Sequence, residues 1–415
     1  MKSWFCAFVI IFLFLARPVF AQELDSGIYQ FLVNQRNVHT GIPASFINTD
    51  DTMLDGQAAT YDLAIAGLGF LQLKDRDSAR KILEFFEGKW NQGGLCNFYN
   101  IQTGACGIET TVHLGPNMWV ATLALQYTFL TKDRRFYPLA KKIALWGIAL
   151  NHKGGGISMG PYLDWGADWP NVFGAESNIV AYSVFRAIAK GEGDAASKVS
   201  MELEMQGIRN FLNEGVLLKG SDGRLQNILV GHSALEGTLM ITACDVVSMM
   251  LLVFDPKELV TFFALQEEDL LNFARERFIV EEDGIRGFDF SDQEASQATL
   301  RPRMISLEWT MQMACALRHI SDVYGASADY SGDQEKINRY RKEASFYAKE
   351  IDKKSIGLGE MLFYPYATKD TLQVFPFAPW WKTPRGDVAL CGAMASTMWR
   401  LFYDKGFNPL RIETF

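Results

Sequence analysis

TYDLAIAGLGFLQLKDRDSARKILEFF, residues 60–86, reads as one complete helical hairpin. Its first half is apolar on nearly every face, as in a helix buried on both sides. A short turn, Lys74-Asp75-Arg76-Asp77, follows. The second half puts Ala79, Ile82, Leu83 and Phe86 on one face with charges between them, the pattern of a half-exposed helix. The buried half opens on an acid, Asp62.

The same opening recurs along the chain. It returns as GPNMWVATLALQYTFL (115–130), AESNIVAYSVFRAIA (175–189), LEGTLMITACDVVSMMLLV (235–253), SLEWTMQMACALRHI (306–320) and GDVALCGAMASTMWRLF (386–402). Amphipathic segments lie between these openings, over 133–150, 196–214, 256–278 and 333–352. One helix pair per roughly 40–70 residues is the mark of a stacked or closed repeat. The openings place inner helices near residues 62, 117, 178, 238, 308 and 388, with outer helices between them. Residues 24–37 supply the remaining outer helix, beside the last inner one. Neither end shows a polar capping hairpin, so closure is preferred to an open superhelix. The expected fold is all-α, an (α/α)6 toroid.

Inner-to-outer turns are short. Outer-to-inner connections are long and rich in Gly and aromatics, over 91–116, 151–175, 279–305 and 353–386. Long ordered loops on a rigid scaffold are where function concentrates. These loops all precede inner-helix starts, so both signals point to one end of the ring.

The N-terminus predicts the compartment. Lys2 is followed by an apolar run from Trp4 to Ala16, then Pro18 and the partly fitting cleavage motif Val19-Phe20-Ala21. Residues 1–21 are expected to be a signal peptide, too short to span a bilayer comfortably, and 22–415 one toroid domain. A secreted or periplasmic location follows. In such a compartment Cys96 and Cys106, in GGLCNFYNIQTGACG, are expected to pair. Cys244, Cys315 and Cys391 lie in apolar helical segments and read as buried thiols. The chain carries 40 Lys+Arg against 48 Asp+Glu, a net charge of −8, with no basic stripe. Nucleic acid is therefore a poor partner. No C-x-x-C or H-E-x-x-H pairing occurs, and no metal or cofactor is expected.

The candidate chemistry sits at the inner-helix starts. Asp62, Glu176 and Glu308 are acids at matching places of different hairpins. Asp62 alone reads better as a helix cap, and Glu176 and Glu308 alone each read equally as one. Together they suggest an acid/base set, with Asp62 held ionised by the positive helix end. Tyr61, Asn117, Trp119, Asn178 and Trp309 share these starts and are candidate sugar contacts. The loops add Tyr162, Trp165 and Trp169 in MGPYLDWGADWPNVFGAESN, and Trp380, Trp381 and Asp387 in FPFAPWWKTPRGD. Aromatic faces stack on the C–H faces of sugar rings, and carboxylates bind their hydroxyls.

These segments resemble the six-hairpin glycosidase superfamily, the (α/α)6-toroid glycoside hydrolases. The resemblance rests on YDLAIAGLGFLQLKDRDSARKILEFF, GPNMWVATLAL, ESNIVAY and LEWTMQMACAL, and spans nearly all of 22–415. TDDTMLDGQAATYDLAIA also resembles the acidic helix-start segment of family 8 endoglucanases. The resemblance implies a hydrolase of an oligo- or polysaccharide that inverts at the sugar carbon. That mechanism uses two carboxyl groups about 6.5–9.5 Å apart. Glu308 or Glu176 would serve as acid and Asp62 as base. Two other readings stay open. One is a non-catalytic glycan-binding toroid. The other is a polysaccharide lyase with His113 or Tyr61 as base.

Overall fold

The structure, a computed structural model, describes residues 23–164, 167–191, 194–233, 237–239, 241–326, 333–374, 382–383 and 390–413. The proposed signal peptide lies outside them.

The helices follow the chain as α1 (23–34), α2 (Thr60–Gln72), α3 (Arg76–Lys89), α4 (Leu114–Thr131), α5 (Tyr137–Ile148), α6 (Ala175–Gly191) and α7 (Ala195–Phe211). Then come α8 (Cys244–Val253), α9 (Pro256–Phe263), α10 (Glu267–Arg277), α11 (Gln293–Ala298), α12 (Leu307–Ala326), α13 (Gln334–Asp352) and α14 (Met394–Lys405). Six of them form the inner wall. Contacts run α2–α4, α4–α6, α6–α8, α8–α12 and α12–α14, and α14 packs back on α2. The last contact closes the ring, so the molecule is an (α/α)6 toroid. Outer helices α3, α5, α7, α10 and α13 each lie against their inner neighbour. Helix α1 completes the outer layer beside the last hairpin: Phe31 packs on Phe363 at 5.3 Å between rings, and Lys405 pairs with Asp25.

The inner helices approach closely because α2 carries glycine at two of its contacts. A Cβ on Gly67 would overlap Leu123 of α4, and one on Gly69 would overlap Met398 of α14. Glycine inside a helix costs about 1 kcal/mol against alanine. Here it lets α2 seat both neighbours and close the ring.

The long connections fold into two-stranded hairpins over the inner-helix starts. Examples are His152–Lys153 with Gly156–Ile157, Ile279–Glu282 with Ile285–Phe288, and Ile356–Leu358 with Met361–Phe363. Four inner helices hold such a connection with their fourth residue. In α4, Asn117 accepts from Leu95 N at 2.9 Å and donates to Leu95 O and His113 O. In α6, Asn178 accepts from Ile157 N at 2.8 Å and donates to Ile157 O and Gly174 O. In α12 and α14 a threonine does this: Thr310 accepts from Phe288 N at 2.9 Å and Thr397 from Tyr364 N at 3.1 Å. Each hydroxyl then donates to the carbonyl four residues back, Ser306 and Ala393. The loop is thereby fixed to the helix end that it covers.

Two inner helices begin later than the sequence pattern suggests. The fourth starts at Cys244 rather than near 238, because Gly237–Leu239 joins a sheet with Gly231–Ser233 and Val172–Gly174. The β-branched Thr238, Ile241 and Thr242 suit extended backbone in this run. The sixth starts at Met394, since Gly392–Ala393 pairs with Phe46–Ile47. The outer segment 256–278 is two helices, broken where Ala264 turns left-handed at φ 49°. Among the described residues, no helix is long and apolar enough to cross a membrane.

Candidate active site

The second residues of the inner helices gather at one end of the ring. Around the ring these are Tyr61, Gly115, Glu176, Asp245, Glu308 and Ala395. All but Gly115 line a cavity of about 420 Å³, as does Asp62, the third residue of α2. Gly115 leaves room for an acid instead, since a Cβ there would lie 3.1 Å from Glu176 Oε2. Four carboxyl groups from four helices therefore face one space.

All four hold their protons more tightly than carboxyls in water. Burial pushes Asp62 up to about 7, and the Ser45 hydroxyl pulls it partly back. Burial pushes Asp245 up to about 8, with the Glu176 charge adding to it. Glu308 also rises to about 8. Burial leads, the Tyr61 bond opposes, and the charges of Asp62, Asp245 and Glu176 add. Burial raises Glu176 too, against bonds from Trp119 and Ser177. Asp62 was expected to stay ionised at the helix end. Its side chain is only 7 % exposed, and loss of water outweighs the helix field.

Side-chain donors orient Glu308 and Glu176. The Tyr61 hydroxyl donates to Glu308 Oε1 at 2.7 Å and accepts from Trp399 Nε1 at 2.7 Å. Gln312 Nε2 donates to the same Glu308 oxygen at 3.0 Å, and Ser248 fixes that amide by donating to its oxygen. On the other side, Trp119 Nε1 donates to Glu176 Oε1 at 3.4 Å, and Ser177 Oγ to Oε2 at 3.3 Å. Tyr61, Trp119 and Trp399 pack edge to face, at 5.2 and 6.1 Å. This aromatic group, from α2, α4 and α14, ties Glu308 to Glu176 across the ring.

The loops build the rest of the wall. His113 and Trp169 meet at 4.5 Å between rings, beside Met159 and Val172. Asn97 donates to Glu109 at 2.8 Å, and Lys382 pairs with Asp51. Trp309 lines the cavity and packs on Phe290 at 5.0 Å. The 91–116 loop is closed by the Cys96–Cys106 disulfide, the pairing that the sequence suggested. Cys244, Cys315 and Cys391 are buried free thiols. Among the described residues, no group of three or more His, Cys, Asp or Glu is placed to hold a metal ion.

Of the residues singled out in the sequence, Tyr61, Asp62, Trp119, Trp169, Glu176, Glu308 and Trp309 come together here. Asn117 and Asn178 do not line the cavity. They are fully buried and bonded to the loop backbone, so their amides serve the fold. Tyr162 is 56 % exposed and outside the cavity lining. Trp165, Trp380, Trp381 and Asp387 lie outside the described residues. Asp245 is the acid that the sequence reading missed. It follows Cys244 in ITACDVV, and it stands at a helix start only if α8 begins at Cys244.

No family model and no curated protein matches the chain. Solved structures do. A sugar epimerase from a ruminal bacterium is 13 % identical, with a TM-score of 0.62, over 92 % of this chain and 97 % of that one. The cellobiose 2-epimerase of Bacillus thermoamylovorans is 9 % identical, with a TM-score of 0.64, over 93 % and 99 %. A wild-type glycosidase is 11 % identical, with a TM-score of 0.62, over 94 % and 97 %. At such identities the likeness speaks for architecture alone: the chain shares an (α/α)6 toroid fold with these structures.

Proposed function

We propose that the protein is a carbohydrate-active enzyme, a glycoside hydrolase with Glu308 as general acid and Asp62 as general base. The observation that carries this reading is the ring of four buried carboxyls around one cavity, two of them in unlike surroundings. Both polar donors to Glu308 act on Oε1, which leaves Oε2 as the atom that carries its proton. Asp62 receives the Ser45 hydroxyl, which favours its ionised form. Once Asp62 is charged, its field helps Glu308 keep a proton. A pair of carboxyls whose environments separate their roles is what acid/base hydrolysis of a glycoside requires. Asp245, on the neighbouring helix α8, and Glu176, one helix further round on α6, suit hydrogen bonding to sugar hydroxyls.

Other chemistries fit less well. A lyase base would have to be His113 or Tyr61. Burial lowers His113 to about 4, which makes it a weak base. The Tyr61 hydroxyl is held far above its usual range by burial and already donates to Glu308. Epimerisation is a second reading, favoured by the names of fold neighbours. It too needs an acid and a base about one cavity. We place the enzyme outside the cytoplasm, on the strength of the N-terminal apolar run and the Cys96–Cys106 disulfide.

Amide variants test the assignment. Glu308→Gln and Asp62→Asn should each lower kcat by about 10²–10⁴-fold on a glycan that the native enzyme cleaves. Asp245→Asn and Glu176→Gln should act more on KM. Full activity in both Glu308→Gln and Asp62→Asn would overturn the roles given.

A further inference from the structure

We propose that His113 is a substrate-binding residue whose imidazole Nε2 hydrogen-bonds a hydroxyl of an uncharged sugar ring lodged beside Trp169. The proposal rests on the reading of the cavity as a sugar site and assigns its loop-side wall.

His113 caps the start of α4 with its backbone in an extended conformation, and its side chain makes no capping bond. Its backbone oxygen is taken by Asn117, so the residue is held in place by α4 itself. The imidazole is 7 % exposed and lines the cavity. Among the described residues, Nε2 has no hydrogen-bond partner. Leaving a buried polar nitrogen unpaired costs about 1–3 kcal/mol, so such atoms in native proteins call for a reason. A core histidine would find a backbone partner. This one is braced against Trp169 at 4.5 Å and 70° between rings, and it belongs to the cavity wall with its Nε2 buried and unpaired.

The surroundings point to the ligand class. Trp169, Met159 and Val172 give an apolar surface, broken by His113, Asn97 and Glu109. An apolar wall with a few fixed polar groups suits a pyranose, which has C–H faces and hydroxyl edges. Charge narrows the class. Lys382 is the one cation among the described lining residues, and it pairs with Asp51. The remaining titratable groups among the described lining residues are carboxyls, the tyrosine hydroxyls of Tyr61 and Tyr366, and a neutral imidazole. A uronate carboxylate would be desolvated here with no unpaired cation among the described lining residues to receive it. The sugar is therefore a neutral one.

Binding, read by intrinsic tryptophan fluorescence and calorimetry, tests this apart from turnover. The probes are maltose, cellobiose, lactose and a galacturonate disaccharide, on the native protein and on His113→Leu and His113→Gln. Circular dichroism checks that each variant is folded. The native protein should bind at least one neutral disaccharide more tightly than the uronate. His113→Leu should weaken that binding about tenfold. His113→Gln, which keeps a polar group, should restore most of it. Equal binding by the native and Leu proteins would overturn the proposal. So would a Gln variant as weak as Leu, preferred binding of the uronate, or a native protein that binds no neutral sugar. A protein that binds sugars through His113 but cleaves none would refute the hydrolase reading and leave this one standing. An active hydrolase indifferent to His113 would do the reverse.

Discussion

Glu308 takes two hydrogen bonds on one oxygen, from Tyr61 and Gln312, and its acid proton belongs on the other. Asp62 has neither of these donors and receives the Ser45 hydroxyl instead. These small asymmetries separate an acid from a base in a set of similar groups. They predict a bell-shaped pH dependence of kcat/KM. It should rise through about 7 as Asp62 ionises and fall through about 8 as Glu308 loses its proton. The two limbs belong to the coupled set rather than to single residues. A flat profile from pH 5 to 9 would contradict it. Stability follows with a definite sign. A carboxyl whose folded value is raised binds more protons in the folded state between its unfolded and folded values. Stability is then full below about pH 4 and declines as pH rises toward 8, by about 1.4 kcal/mol per pH unit for each such group. Asp245→Asn removes one of these groups. It should flatten the slope of urea-unfolding free energy between pH 5 and 8, and stabilise the protein at pH 8. An unchanged slope would show that Asp245 is not held neutral by burial. Asp62, Glu176 and Glu308 were legible as a set in the sequence because each stands at an apolar helix start. Their proton affinities were not legible, since depth in a ring is a tertiary property.

At the scale of the element, the repeated unit is a hairpin loop pinned to the fourth residue of an inner helix. Asn117, Asn178, Thr310 and Thr397 do the same work in four hairpins. The sequence shows the two asparagines plainly, and their polarity beside the acids suggested sugar contacts. The repeated backbone bonds give the other answer. Local pattern cannot tell a polar group that meets a ligand from one that meets a loop. Asn178→Ala should leave Ile157 N, Ile157 O and Gly174 O without their partner and lower stability by about 3 kcal/mol. Denaturant unfolding would measure this. A stability within 0.5 kcal/mol of native, on the order of a surface change, would refute the pin. The same limit explains α8. Apolar residues run from Leu239 into the helix with only Thr242 between them, so periodicity does not mark where strand ends, and Asp245 is hidden by that continuity.

The whole molecule makes a site from residues that no local segment contains. The closure of α14 on α2 brings the start of the chain beside its end, and the acids of α2, α6, α8 and α12 onto one cavity. The toroid itself was legible, because six similar hairpins with short outer turns have few ways to pack. The reaction is less constrained, since fold neighbours at 9–13 % identity are named as epimerases and as glycosidases. One measurement separates these outcomes. Proton NMR follows the anomeric signals while the protein is incubated with neutral oligosaccharides, with Glu308→Gln as the control. An inverting hydrolase with Glu308 as acid gives new reducing ends whose first-formed anomer is opposite in configuration to the bond cleaved, and the variant gives none. An intact glycosidic bond with a changed configuration at the reducing sugar, or no change at all, would contradict this assignment.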